Sequence, residues 1–322
     1  MLWCKAVSFR KIHTSASIFA RRRMRDHSLE NAHSEPLFRR VAIVGLGLLG
    51  GSWGLALKSA GFTGRIVGFA RRAETRAQAL SEGAVDEAFA DAGEAVRGAD
   101  LVILATPVAV ILDHLPRLQP HLSPLALITD VGSTKRRICE RGAELYARQP
   151  LFLGGHPMAG KERSGLENAD ARLFENARYV LAPIKPEYLD DARVQAFRAL
   201  VEAVGARPLI IDPATHDLAV AYLSHLPQLL SSGLASLMEE KHAAENLTLE
   251  VAASGFRDVT RLADSPYSVW RDICLTNTEN IQMALDALIQ KLESIRVHLA
   301  DRELEGEFLA AHRLRDKLRE MS

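Results

Sequence analysis

Apolar residues are distributed differently in the two parts of this chain. Up to about residue 212 they form short β-branched runs separated by Gly, Pro and charged stretches. Beyond it they recur at helical spacing. The runs Val41–Val44, Arg65–Phe69, Leu101–Ala105, Leu125–Thr129, Leu151–Leu153, Arg178–Ala182 and Pro208–Ile211 predict strands. A helix is predicted from the glycine turn after Val44 to about Ala60, with Gly61 as its stop, and another over Arg71–Glu82. This alternation predicts an α/β fold: a Rossmann-type, doubly wound, mostly parallel sheet with helices on both faces. Leu218, Tyr222, Leu226, Leu229, Leu230, Leu234 and Leu237 then predict an all-helical second domain. Asp264-Ser265-Pro266 reads as a helix start, with Ser265 as cap and Pro266 at the first position. Ile281, Leu285, Leu288, Leu292, Ile295 and Leu299 form a heptad seam, suited either to internal packing or to a subunit interface. The boundaries that follow are an extension over 1–38, a sheet domain over 39–212 and a helical domain over 213–322.

Composition narrows the class. With 322 residues, 48% hydrophobic and 25% charged, the chain has ample material for a core and is neither fibrous nor a disulfide scaffold. Three distant cysteines, Cys4, Cys139 and Cys274, form no metal-ligand spacing, so no metal is expected, and they suit a reducing compartment. The most apolar stretch, Leu101–Leu112, is broken by Pro107 and too short to span a bilayer. Balanced charge, 40 basic against 40 acidic residues, gives no reason to expect nucleic acid or a membrane as partner. That balance is composite. Residues 1–23 carry six Lys and Arg and no acid, which leaves the rest mildly acidic. This basic, Ser- and Ala-rich tip matches an organellar transit peptide in composition. The reading preferred here is a start at Met24 or a poorly ordered tail, with a cytoplasmic protein.

Chemistry enters at Gly45-Leu46-Gly47-Leu48-Leu49-Gly50, which follows a strand and opens a helix within a βαβ unit. That context makes the pattern a dinucleotide-binding loop, with pyrophosphate at the helix N-terminus. An acid at the end of the second strand would bind an NAD ribose. Here Phe69-Ala70-Arg71-Arg72 supplies none, and two guanidinium groups suit a 2′-phosphate, so NADP is favoured over NAD. Surface charge on the next helix is the competing reading of those arginines. Three further loops follow strand ends. They carry Thr106-Pro107, Asp130 to Lys135 (DVGSTK), and His156 to Glu162 (HPMAGKE). A His at such an edge can accept a hydroxyl proton as hydride leaves.

GLGLLGGS, ATP, DVGSTK, HPMAGKE and GFRDVTRLADS occur in this order at compatible spacing. Together, over about 40–300, they resemble the prephenate/arogenate (cyclohexadienyl) dehydrogenase family of tyrosine biosynthesis. The resemblance implies an NAD(P)-dependent oxidative decarboxylation of prephenate to 4-hydroxyphenylpyruvate, or of arogenate to tyrosine, by a homodimer joined through its helical domain. It implies His156 as proton acceptor and Ser133 as its hydrogen-bond partner, also near cofactor and substrate. Arg261 would hold a substrate carboxylate. Glu162 and Asp258 match acidic positions at the site mouth, as a polar gate or as ordinary solvated charges. His216, His225 and Gln228 are candidate substrate contacts; the two histidines are alternatively structural, and some relatives carry His where Gln228 stands. Two rival readings remain at this stage. One is another Rossmann-plus-helical hydroxyacid dehydrogenase, for which 213–280 offers only Lys241 as base. The other is a non-catalytic NAD(P)-sensing protein.

Overall fold

The computed structural model describes residues 37–146, 149–161, 163–245, 247–300 and 302–320. The proposed tip, residues 1–23, lies outside them. So does most of the predicted extension, but its last two residues do not: Leu37 is exposed, while Phe38 is buried and packs in the core. In the sequence Leu37 and Phe38 stand alone between polar residues, so no apolar run marks them as core.

Among the described residues, eight strands form one sheet in the order β3-β2-β1-β4-β5-β6-β7-β8. They are β1 (Arg40–Val44), β2 (Arg65–Phe69), β3 (Glu87–Phe89), β4 (Leu101–Leu104), β5 (Leu127–Asp130), β6 (Leu151–Pro157), β7 (Arg178–Ala182) and β8 (Arg207–Ile210). All neighbours pair in parallel except β6 and β7. The helices of this part are α1 (Leu48–Ser59), α2 (Ala73–Ser81), α3 (Ala92–Val96), α4 (Val108–Leu118), α5 (Arg136–Leu145) and α6 (Ala192–Ala203). Thereafter come α7 (Pro213–Val220), α8 (Leu226–Glu245), α9 (Ser254–Thr260), α10 (Tyr267–Thr276), α11 (Thr278–Val297) and α12 (Glu303–Glu320). A π-helical turn over Ala221–His225 joins α7 to α8.

The continuous apolar runs are explained by burial on both faces. In β1, Val41 and Ile43 enter one core cluster while Ala42 and Val44 enter the other; Leu101 and Ile103 of β4 part from Val102 and Leu104 in the same way. Period-two side chains thus serve two helical layers. One layer centres on Trp53, whose ring lies 5.3 Å from that of Phe174 and 5.7 Å from that of Tyr179. The other is built from α3, α4 and α5 through Val96, Ile111, Leu115 and Ile138.

Four local expectations are corrected. β3 was not foreseen; at three residues, Glu-Ala-Phe, it carries no β-branched signal. The helix predicted over Arg71–Glu82 spans Ala73–Ser81. Pro266, not Ser265, occupies the cap of α10. Most consequentially, β6 does not stop at Leu153 but runs through His156 to Pro157, paired with β7. Gly154 and Gly155 read as a loop in sequence. In the fold they are sheet residues without room for a side chain: a Cβ on Gly155 would stand 2.4 Å from the Asp130 carbonyl oxygen.

The heptad seam is not consumed by internal packing. Ile281 is buried, but Leu292 is 49% and Leu299 66% exposed. Among the described residues, no helix is long and apolar enough to cross a membrane.

Candidate active site

The chain turns from one side of the sheet to the other between β1 and β4, and there the carboxyl ends open a crevice. Gly45 leaves β1 at φ +108°, and a Cβ there would stand 2.6 Å from the Ala105 carbonyl oxygen. Gly50 lets α1 begin directly against that turn. Gly47 caps α1 with no side-chain hydrogen bond, and open space lies where its side chain would be. The first N–H groups of α1, at Leu48 and Leu49, therefore face an uncrowded approach. A groove of about 590 Å³ runs from Gly45 and Gly47 past Ala70, Arg71 and Arg72 to Thr106. The Thr106 hydroxyl is buried without a hydrogen-bond partner. A free helix N-terminus, an orphaned hydroxyl and two cationic side chains at one end fit a phosphorylated dinucleotide. Pro107 caps α4 at the rim. Arg76, unmarked by any motif, donates to the carbonyls of Ala70 and Arg71 at 2.8 and 2.7 Å and so fixes the loop that carries the arginines.

His156 sits at the carboxyl end of β6, on a strand rather than a loop. Its Nδ1 lies 2.9 Å from His216 Nε2, and His216 Nδ1 lies 2.8 Å from Asp217 Oδ1. Burial is the main influence on the His156 imidazole. With His216, Lys135 and His225 nearby, it holds the ring's pKa well below 6.5, so the ring is neutral at neutral pH.

Behind His156 is a fully buried ion pair. Lys135 Nζ contacts Asp130 Oδ2 and donates to the Gly155 carbonyl at 2.7 Å. Asp130 also accepts the N–H groups of Gly132 and Gly155 at 2.8 and 3.1 Å. The pair therefore ties the loop after β5 to the backbone just before His156. DVGSTK contains both residues, but nothing in the motif shows that its acid and its base fold back on each other.

The remaining predicted residues divide. Ser133 is half-buried in that loop, and no hydrogen bond joins it to His156 among the described residues; His216 occupies the orienting position instead. His216 is only 1% exposed, which places it behind His156 rather than in the cleft. His225 is equally buried, 3.3 Å from the Asn277 amide and edge-on to Trp270, with its pKa pushed down to about 4, chiefly by burial. Gln228 is buried too. Its amide donates to the Leu262 carbonyl at 2.7 Å and so pins to α8 the turn in which Arg261 lies. All three side chains are buried and held by partners within the protein. Arg261 and Asp258 are exposed, Arg261 opening the turn that follows α9 and Asp258 on α9 itself. Glu162 lies outside the described residues. Lys241, the base a hydroxyacid dehydrogenase would need, is a surface residue paired with Glu245 at 2.5 Å.

Fold and site together define a nicotinamide-dinucleotide-dependent dehydrogenase. Residues 53–210 match the profile described as prephenate dehydrogenase, nucleotide-binding domain, and residues 212–314 the profile of its dimerization domain. The chain belongs to the prephenate dehydrogenase family. It is 36% identical over 272 residues to the prephenate dehydrogenase of Bacillus subtilis, which covers 83% of this chain and 72% of that one. The prephenate dehydrogenase of A. aeolicus, solved with hydroxyphenyl propionate and NAD+, superposes with a TM-score of 0.78 at 29% identity, over 88% of this chain and 98% of the other. Synechocystis arogenate dehydrogenase gives 0.74 at 32% identity, over 87% and 99%.

Proposed function

We propose that this chain oxidises and decarboxylates prephenate or arogenate, with NADP+ preferred over NAD+, as a homodimer joined through its helical region. The observation that carries the chemistry is a neutral, hydrogen-bonded His156 on the same sheet edge as the dinucleotide groove. A bound nicotinamide supplies the hydride acceptor. His156 takes the proton of the C4 hydroxyl as hydride leaves C4, and the O–H electron pair becomes the carbonyl π bond. The ring carboxylate then departs as CO2. Its bonding pair enters the ring and the carbonyl π pair returns to the C4 oxygen, which gives an aromatic phenolate that then regains a proton. Aromatisation drives the reaction, so the protein's task is to position the substrate and handle one proton. Arg261 binds a substrate carboxylate, a geometry that suits a guanidinium fork. Ser133, in the loop after β5, hydrogen-bonds the substrate hydroxyl when substrate is present. Asp258, exposed on α9, borders the entrance.

The preference for NADP+ is supported by Arg71 and Arg72 on a loop braced by Arg76, with no acid at the end of β2. Dimerisation is supported by the exposed apolar seam on α11 and by the description of the matched C-terminal profile. The test is direct. Purified protein is supplied with prephenate or arogenate and with NAD+ or NADP+, and absorbance of reduced nicotinamide is followed. Reduction with one of the four pairs is expected. Its absence with all four overturns the proposal.

A further inference from the structure

His156, His216 and Asp217 form a hydrogen-bonded row from the sheet edge into the helical region, at 2.9 and 2.8 Å. The last member of the row fixes the role of every other. Asp217 Oδ1 accepts the Lys135 N–H at 2.6 Å, and Oδ2 accepts the Arg136 N–H at 2.9 Å, so this carboxylate is an acceptor on both oxygens. An ionised carboxylate has no proton to give. His216 must therefore donate from Nδ1. With its one ring proton on Nδ1, His216 accepts at Nε2, and His156 must donate to it from its own Nδ1. The lone pair of His156 is left on Nε2, the nitrogen not engaged in the row.

We infer that Asp217, through His216, holds His156 in the Nδ1–H tautomer, so that Nε2 is the atom that takes the substrate proton. This rests on the dehydrogenase reading above. His216 is a positioning residue: it is 1% exposed and reaches the reaction only through His156. The surroundings keep His156 to a single ring proton until the substrate supplies a second. Lys135, from the loop before α5, and His225, from the π-helical turn, face it from two sides; Asp130 offsets the Lys135 charge, and Asn277 holds the Asp217 carbonyl at 2.8 Å. When His156 gains the hydroxyl proton, the row carries one cation and one anion with a neutral imidazole between them. His216 Nε2 still accepts from His156 Nδ1, now a stronger donor. A His156 in the opposite tautomer would offer an N–H to the substrate hydroxyl and could not act as base.

Histidine-15N-labelled protein tests this without turnover, because long-range 15N–1H spectra read which ring nitrogen carries the proton. Nδ1–H is expected at both His156 and His216 in the wild-type protein, and Nε2–H at His156 overturns the inference. Kinetics supply the second arm. The Gln side chain in His216→Gln places its carbonyl oxygen near the position of Nε2, whereas that of His216→Asn is too short. H216Q should keep kcat within about fivefold. H216N should lower it by roughly 10–100-fold, with KM for the substrate within about twofold and the acid limb of the pH profile moved. A purely structural role predicts similar losses from both. Wild-type kcat in H216N overturns the inference. If the wild-type protein reduces neither cofactor, the functional reading falls, and the tautomer spectra still decide the row.

Discussion

Asp217 Oδ2 accepts the backbone N–H of Arg136 at 2.9 Å, across 81 residues of chain. Helix α5 has no side-chain cap of its own, and neither has α4. Asp217 caps the first, while Asp272 caps the second through the Ala109 N–H at 3.1 Å. Two acids of the helical region thus dock onto the positive ends of two sheet-domain helices. Asp217→Ala leaves buried N–H donors unmet and should lower stability by about 2–4 kcal/mol. Urea unfolding measures the loss, and an unchanged midpoint would show that the cap contributes nothing.

His156→Asn removes the proposed proton acceptor while leaving the groove untouched. Turnover should fall by about 10²-fold or more, while NADP+ affinity, measured by fluorescence titration, persists. In the wild-type enzyme the acid limb of kcat/KM should lie below pH 6.5, because burial and neighbouring His216, Lys135 and His225 depress the His156 pKa. A limb above pH 7 would exclude His156 as the titrating base.

The sheet was legible in the sequence wherever both faces are buried. Runs such as Leu101–Leu104 need no partner to be recognised, because every residue in them is apolar. β3 and the second half of β6 were not legible. Glu87–Phe89 is a strand through its pairing with β2, and Gly154-Gly155-His156-Pro157 lies in the sheet because only glycine fits between Cys139, Asp130 and β7. The groove residues were found because a phosphate-binding turn is local: Gly45 to Gly50 act within six positions. The row behind His156 was not, since it joins residues 60 apart, and spacing carries no information about such contacts. His216 stands out in the sequence as a candidate contact, but its burial beside His156 and Asp217 is visible only in the fold.

His225 gives stability a pH dependence of definite sign. Its folded pKa is about 4 against 6.5 when unfolded, so between those values the unfolded chain binds more protons. Stability should therefore hold above pH 6.5 and fall as pH drops toward 4, with His156 acting in the same direction. Urea midpoints at several pH values would measure the slope. The slope should be shallower in His225→Asn, and an equal slope would assign the effect to other groups.

Gln228 links α8 to the turn that opens with Arg261. Its amide donates to Leu262 O at 2.7 Å and lies 3.2 Å from Ser232 Oγ. Gln228→Leu keeps the volume but frees the turn, so the guanidinium loses its preset position. KM for the substrate should rise roughly 3–30-fold, the equivalent of one buried hydrogen bond, with kcat much less affected. Arg261→Ala should raise KM further. If Q228L keeps the wild-type KM while R261A does not, the turn is held by other contacts.

The proposed preference for NADP+ rests on Arg71 and Arg72, which are exposed and line the groove at the end of β2. Each charge-assisted hydrogen bond to a 2′-phosphate is worth about 1.5–3 kcal/mol, or roughly 10–100-fold in affinity. NAD+ lacks that phosphate and gains nothing from them. Arg71→Ala and Arg72→Ala should therefore raise KM for NADP+ by about that factor and leave KM for NAD+ within about twofold. Arg76→Ala should give a weaker version of the same change, because it loosens the Ala70 and Arg71 carbonyls without removing either charge. Steady-state kinetics with both cofactors separate the contributions. Equal losses for NAD+ and NADP+ would mean that the two arginines serve the loop's fold rather than the phosphate, and the preference for NADP+ would then have to be withdrawn.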